Sequence, residues 1–126
     1  MAAIDACLAE AMAIPGAQGA TLVDYTTGLP IAAAGGDDLS DAAEDAAGTA
    51  DLIRAVLASP VLSSAWTGDE IEEITVAGSA GYHVLILLAT TIDAGLCVHL
   101  RLDRRRGNLA LARHRLREVA RTLGAT

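Results

Sequence analysis

Apolar positions recur at helical spacing from the start of the chain. Ile4, Cys7, Leu8, Ala11 and Met12 fall on one face, Asp5 and Glu10 lie off it, and Pro15-Gly16 ends the pattern. The spacing then changes to that of strands. Ala20 to Tyr25 and Leu29 to Ala34 read as a hairpin around Thr26-Thr27-Gly28, closed by Gly35-Gly36. A second helix opens in the acids Asp37, Asp38, Asp41, Glu44 and Asp45. Asp41 and Glu44 have capping-box spacing, and the helix runs through Ala46, Ala50, Ile53 and Leu57 to Ser59-Pro60. Gly48 inside it weakens the helix by up to about 1 kcal/mol relative to Ala, which predicts a close neighbour at its backbone.

A linker with Trp66 leads to three strands, Ile71 to Ala77, Tyr82 to Thr91 and Leu96 to Asp103, separated by Gly78 to Gly81 and by Asp93-Ala94-Gly95. The second of these is apolar on both faces, which predicts a central strand covered on both sides. The third alternates. Leu96, Val98, Leu100 and Leu102 form a buried face, and Cys97, His99, Arg101 and Asp103 a wetter one. A last helix spans about Asn108 to Leu123, with Leu109, Ala112, Leu116, Val119 and Leu123 inward and Arg113, Arg117 and Arg121 outward. The order α-β-β-α-β-β-β-α, with tight turns between successive strands, predicts an α+β sandwich. Its sheet is mostly antiparallel, helices cover both faces, and residues 1–126 form one domain without internal repeats.

Composition narrows the function. Hydrophobic residues make up 52% of the chain, but Phe is absent and the aromatics are Tyr25, Trp66 and Tyr82 alone. Small aliphatic side chains suit close packing of helices on a sheet and offer few anchors for a ligand or for stacked bases. There is no lysine, which excludes a Walker-type phosphate loop and Schiff-base catalysis. Residues 1–100 hold 14 acids against the single cation Arg54, and residues 101–126 hold eight arginines against two acids. The net charge of −7 therefore hides an acidic body and a basic C-terminal element. That division favours a protein partner or self-pairing over nucleic acid. The acidic N-terminus is not a signal peptide, no apolar run reaches membrane-spanning length, and Cys7 and Cys97 lie far apart. A cytoplasmic chain with free thiols is expected.

Three stretches carry a family resemblance. "GATLVDYTTGLPIAAAG" resembles the first hairpin of the roadblock / dynein light-chain family, "ADLIRAVLAS" its middle helix, and the segment from "EIEEITVAGSAGYHV" to "LREVARTL" its three-strand meander and final helix. The resemblance covers nearly the whole chain. It implies a five-stranded antiparallel sheet between helices, and a homodimer in which the third strand and the middle helix of each subunit pair across a twofold axis. It also implies the work of the bacterial members, which scaffold or regulate small Ras-like GTPases in signalling.

The residues themselves support the pairing. Ile74 and Val76 lie on a strand that reads as an apolar edge, and an open edge invites another chain. Glu70, Glu72 and Glu73 would blunt it. Small residues from Ala46 to Ala50 would let two helices approach closely, or pack on the chain's own sheet. The expected interface is therefore Ala46, Ala50, Ile53, Leu57, Ile74 and Val76. Arg113, Arg117 and Arg121 are the candidate docking surface for an acidic partner, against a reading as a solvated helix face. Cys97, His99 and His83 would meet in only one register of the hairpin and lack a fourth ligand, so no metal site is expected. No nucleophile, cofactor or catalytic group can be assembled, and no enzyme is expected. The alternative to a GTPase-regulating scaffold is a small-molecule-binding sensor domain.

Overall fold

The computed structural model describes residues 2–36, 39–63, 70–88 and 95–125. The expected Trp66 linker, the helix opening at Asp37 and Asp38, the strand end at 89–91 and the turn at Asp93-Ala94 lie outside these residues, as does the side chain of Asp41.

The elements run α1 (Ala2–Met12), β1 (Ala17–Asp24), β2 (Leu29–Ala34), α2 (Leu39–Ala58), β3 (Glu73–Ala77), β4 (Gly81–Leu87), β5 (Leu96–Asp103) and α3 (Leu109–Ala125). The five strands form one sheet in the order β2-β1-β5-β4-β3, with every neighbouring pair antiparallel. The first hairpin turns on Asp24. Its carboxylate accepts hydrogen bonds from the Thr26 and Thr27 amides and the Thr26 hydroxyl, and Gly28 takes the positive φ of 79° that the turn needs.

Helices α1 and α3 lie on one face of the sheet. Ala20 and Leu22, Val84 and Ile86, and Val98, Leu100 and Leu102 point into this layer and pack with Leu8, Ala11, Leu116 and Val119. The stripe read from the last helix is confirmed there, with Ala112 and Leu116 fully buried. On the opposite face α2 lies across β2 and β1 and reaches inward with Ile53, which packs with Leu85 and Cys97.

Two expectations change. The central strand is β5, and β4 sits one place from the edge. The expected wetter side of β5 is wetter only at Arg101 and Asp103, which are partly exposed, since Cys97 is fully buried and His99 is 8% exposed. Ile53 of α2 packs over Cys97 on that side, and the ring of His99 is stacked against His83.

Candidate functional site: an uncovered sheet face and an open edge

The second helix determines what is left bare. Ala46, Ala50 and Ile53 were expected at a subunit interface, but they are at most 1% exposed because α2 turns them into the chain's own core. Leu57 is partly buried against the same cluster. These small residues let α2 sit close on its own sheet, and Ala46, Ala50 and Ile53 are unavailable to a second chain. The side of α2 that faces β4 carries Glu44, Asp45, Gly48, Thr49 and Leu52 instead.

That side and the sheet beyond it form an open groove of about 420 Å3, floored by Val76, His83, Leu85, His99 and Arg101. Val76 is 41% exposed and Leu52 39%. Gly48 lines the groove, and a Cβ built on it would meet nothing within 4 Å. The expected close neighbour is therefore absent among the described residues. The glycine that weakens α2 faces open space, on the side where no described residue covers the sheet.

Strand β3 borders this groove and, among the described residues, pairs with β4 alone. Leu87 N–H donates to Glu72 C=O and Gly78 N–H donates to Gly81 C=O. Alternation along an antiparallel strand then turns the N–H groups of Ile74 and Val76 toward β4 and those of Glu73, Thr75 and Ala77 toward the open edge. The other edge, β2, is less suited to pairing, because Pro30 lacks a donor and the ladder behind it slips between Leu22 and Val23.

The glutamates expected to blunt β3 do not all do so. Glu73 turns to the other face and joins α3. Arg113 Nε donates to its carboxylate at 2.6 Å, and Arg117 Nη2 at 2.9 Å. Burial opposes the Glu73 charge, but the hydrogen bonds from Arg113, Thr75 and Arg117 outweigh it and hold the carboxyl below its ordinary value. Two of the three arginines proposed for docking are thus occupied in bracing β3 against α3, and Arg121 remains exposed. Glu73→Gln should lower unfolding stability by about 1–2 kcal/mol, since it weakens hydrogen bonds to charged donors at a nearly buried acceptor. A urea titration checks this, and an unchanged midpoint would show that the brace contributes nothing.

His83 and His99 meet on the groove floor. Arg101 pairs with His83, and Leu85 with His99, so the two imidazoles sit on a diagonal. His83 Nδ1 lies 3.0 Å from His99 Nε2, with the rings stacked at 29°. Burial first, then His83 and Arg101, push His99 down to about 4. The unfolded chain takes up this proton near pH 6.5 and the folded chain does not until about pH 4. The His99 contribution is therefore complete above pH 6.5 and is lost as the pH falls toward 4. Denaturant unfolding should show about 2 kcal/mol less stability at pH 5 than at pH 7, and His99→Gln should remove that dependence. The Glu73 and Asp24 carboxyls, both lowered, contribute their pH dependence only at more acid values.

Among the described residues no group of three His, Cys, Asp or Glu side chains could hold a metal ion. Cys97 is two residues from His99 but packs with Ile53 and Leu85, and burial raises its thiol to about 12. Burial also raises Cys7, so neither thiol is poised as a nucleophile. The cavity between α2 and the β2-β1-β5 part of the sheet is about 20 Å3, room for about one water. No described helix is long and apolar enough to cross a membrane.

The strand order and the helix layers have solved counterparts. The chain is similar to Myxococcus xanthus MglB, with a TM-score of 0.82 and 21% identity over 98% of this chain and 86% of that one. It is also similar to a Roadblock/LC7 domain from Streptomyces avermitilis, with a TM-score of 0.76 and 16% identity over 94% and 92%. The fold is that of the roadblock/LC7 domain. An MglB solved in a tetrameric arrangement superposes with a TM-score of 0.78 and 17% identity over 97% of this chain and 85% of that one. No protein-family model matches the sequence, and no curated protein is significantly similar to it. Within this roadblock/LC7 fold, the uncovered half-face beside α2 and the open edge of β3 are adjacent and continuous. Sequence reasoning identified the edge through Ile74 and Val76. It flagged Gly48 as needing a close neighbour and weighed His83 and His99 only as metal ligands, and it missed Thr49, Leu52 and Leu85.

Proposed function

We propose that this chain is a homodimeric, non-catalytic scaffold that binds and regulates a small Ras-like GTPase in the cytoplasm. The observation that carries the reading is the groove between α2 and β3, an apolar half-face with a mid-helix glycine turned into it and a bare β-edge beside it. Strand β3 pairs with the same strand of a twin, and the partner's α2 lies over Val76 and Leu85 beside Gly48, which removes an edge and covers exposed apolar surface. Ile74 and Val76 belong to this interface, and Ala46, Ala50 and Ile53 support it from beneath. The roadblock fold makes a GTPase the fitting partner class, as the family resemblance implies. Exposed Arg121 extends a surface for acidic groups, with Arg113 and Arg117 held in place behind it by Glu73.

Purified chain should retain small GTPases from its own cell in a pull-down, with a clear preference between the diphosphate-loaded and triphosphate-analogue-loaded forms. Absence of binding to either form would contradict the GTPase reading and leave the dimer to be judged separately.

A further inference from the structure

The histidine pair lies in the groove assigned above to the second copy, and it has no part in the fold's hydrophobic layers beyond His99 itself. We propose that His83 and His99 make the subunit interface proton-sensitive, so that proton uptake by the pair releases the second copy of this chain. The inference rests on the dimer reading.

The geometry supplies the reason. At 3.0 Å between His83 Nδ1 and His99 Nε2, one ring donates and the other accepts, so the contact has room for a single hydrogen. With both rings neutral, the pair offers the twin a flat, uncharged floor beside Val76 and Leu85. His99 is buried while His83 is exposed at the groove, so a charge on the pair is best solvated at His83, where water reaches it in the free subunit. In the dimer the partner covers that ring, and the charge loses its water.

The surrounding charges are mixed. Arg101 on β5 lines the groove and already disfavours charge on His99. Glu44 and Asp45 on α2 line it too, but no ion pair within 4 Å joins either to His83 among the described residues. From β1 the residues on this face are Thr21 and Val23, and from β3 Ile74 and Val76, all uncharged. Cys97 stays a thiol throughout the relevant range. Glu72 lies beside Arg117. Among the described residues of the groove, the histidines are thus the side chains of the type that gains charge near neutral pH, and burial keeps His99 neutral until about pH 4.

Sedimentation equilibrium of the whole chain at pH 7.5 and 5.5 in the same salt, with circular dichroism confirming the fold at both, tests this. One proton linked per subunit predicts that the dimer dissociation constant rises about tenfold or more at pH 5.5. His83→Gln keeps a hydrogen-bonding side chain at an exposed site, and it should dimerise with nearly equal affinity at the two pH values. A wild-type dimer with the same affinity at both, or a His83→Gln dimer that keeps the full pH dependence, would overturn the inference and leave the dimer standing. A chain that is monomeric at pH 7.5 would overturn the dimer and this inference together.

Discussion

Val76→Asp is expected to turn a two-chain particle into single, folded subunits. Val76 lies on β3 with its side chain on the α2 side of the sheet, 41% exposed and next to His83 and Leu85 in the uncovered groove. Within one subunit a carboxylate there meets water and costs little. Beneath a partner helix the same carboxylate is desolvated with no cation assigned to it, a penalty of several kcal/mol incurred once per subunit. A dissociation constant at least about a hundredfold weaker follows, since each 1.4 kcal/mol is tenfold. Sedimentation velocity measures the loss, and an unchanged thermal midpoint for the diluted monomer separates it from unfolding. A Val76→Asp chain that dimerises like the wild type would mean that the groove is not the interface.

Leu100→Ala should have the largest effect on the subunit itself, lowering the free energy of unfolding by about 3–5 kcal/mol. Leu100 is fully buried on β5, the central strand, between Ala20 on β1 and Val84 on β4, in the layer that α1 and α3 cover. Strands on both sides and helices above leave little freedom for the site to collapse, so most of the lost volume persists as a cavity. Domains of this size are stable by roughly 5–15 kcal/mol, so the variant should retain its fold only marginally. Denaturant unfolding reads the change directly. A loss below about 1 kcal/mol would show that the layer repacks freely and that β5 is not its rigid centre.

The contrast between these two residues shows what the sequence revealed. Leu100 could be recognised as core because Leu96 to Asp103 alternates cleanly and is bounded by a glycine turn, and the strand spans those residues in the structure. The other side of the same strand was legible only at Arg101 and Asp103, which are partly exposed. Cys97 and His99 look like a wet face when taken as an alternating pattern, but coverage by α2 and neighbouring strands is a tertiary property that alternation does not encode. The apolar run of β4 suggested a centre, although a strand near an edge can also be apolar on both faces when a partner is to cover one of them.

The candidate site was legible only in part, for related reasons. The small residues Ala46 and Ala50 suit close approach of any surface, and the sequence does not say whether that surface is the chain's own sheet or a twin. Gly48 carried the better clue, a cost to the helix with no close neighbour among the described residues. The Arg113 and Arg117 stripe looked solvent-directed because its counter-charge, Glu73, lies 40 and 44 residues away and meets it only through the packing of α3 on the sheet. The contact of His83 with His99 depended on strand register, which fixes the diagonal but is invisible to residue spacing.

Amide hydrogen exchange at Thr75 and Ala77 tests the pairing of β3 most directly, because their N–H groups face the open edge and have no acceptor on β4. At concentrations where two chains associate, both amides should be protected to the level of Val76, and dilution should expose them while Val76 stays protected by β4. Thr75 and Ala77 amides that exchange as fast as unstructured peptide at every concentration would show that nothing pairs with this edge.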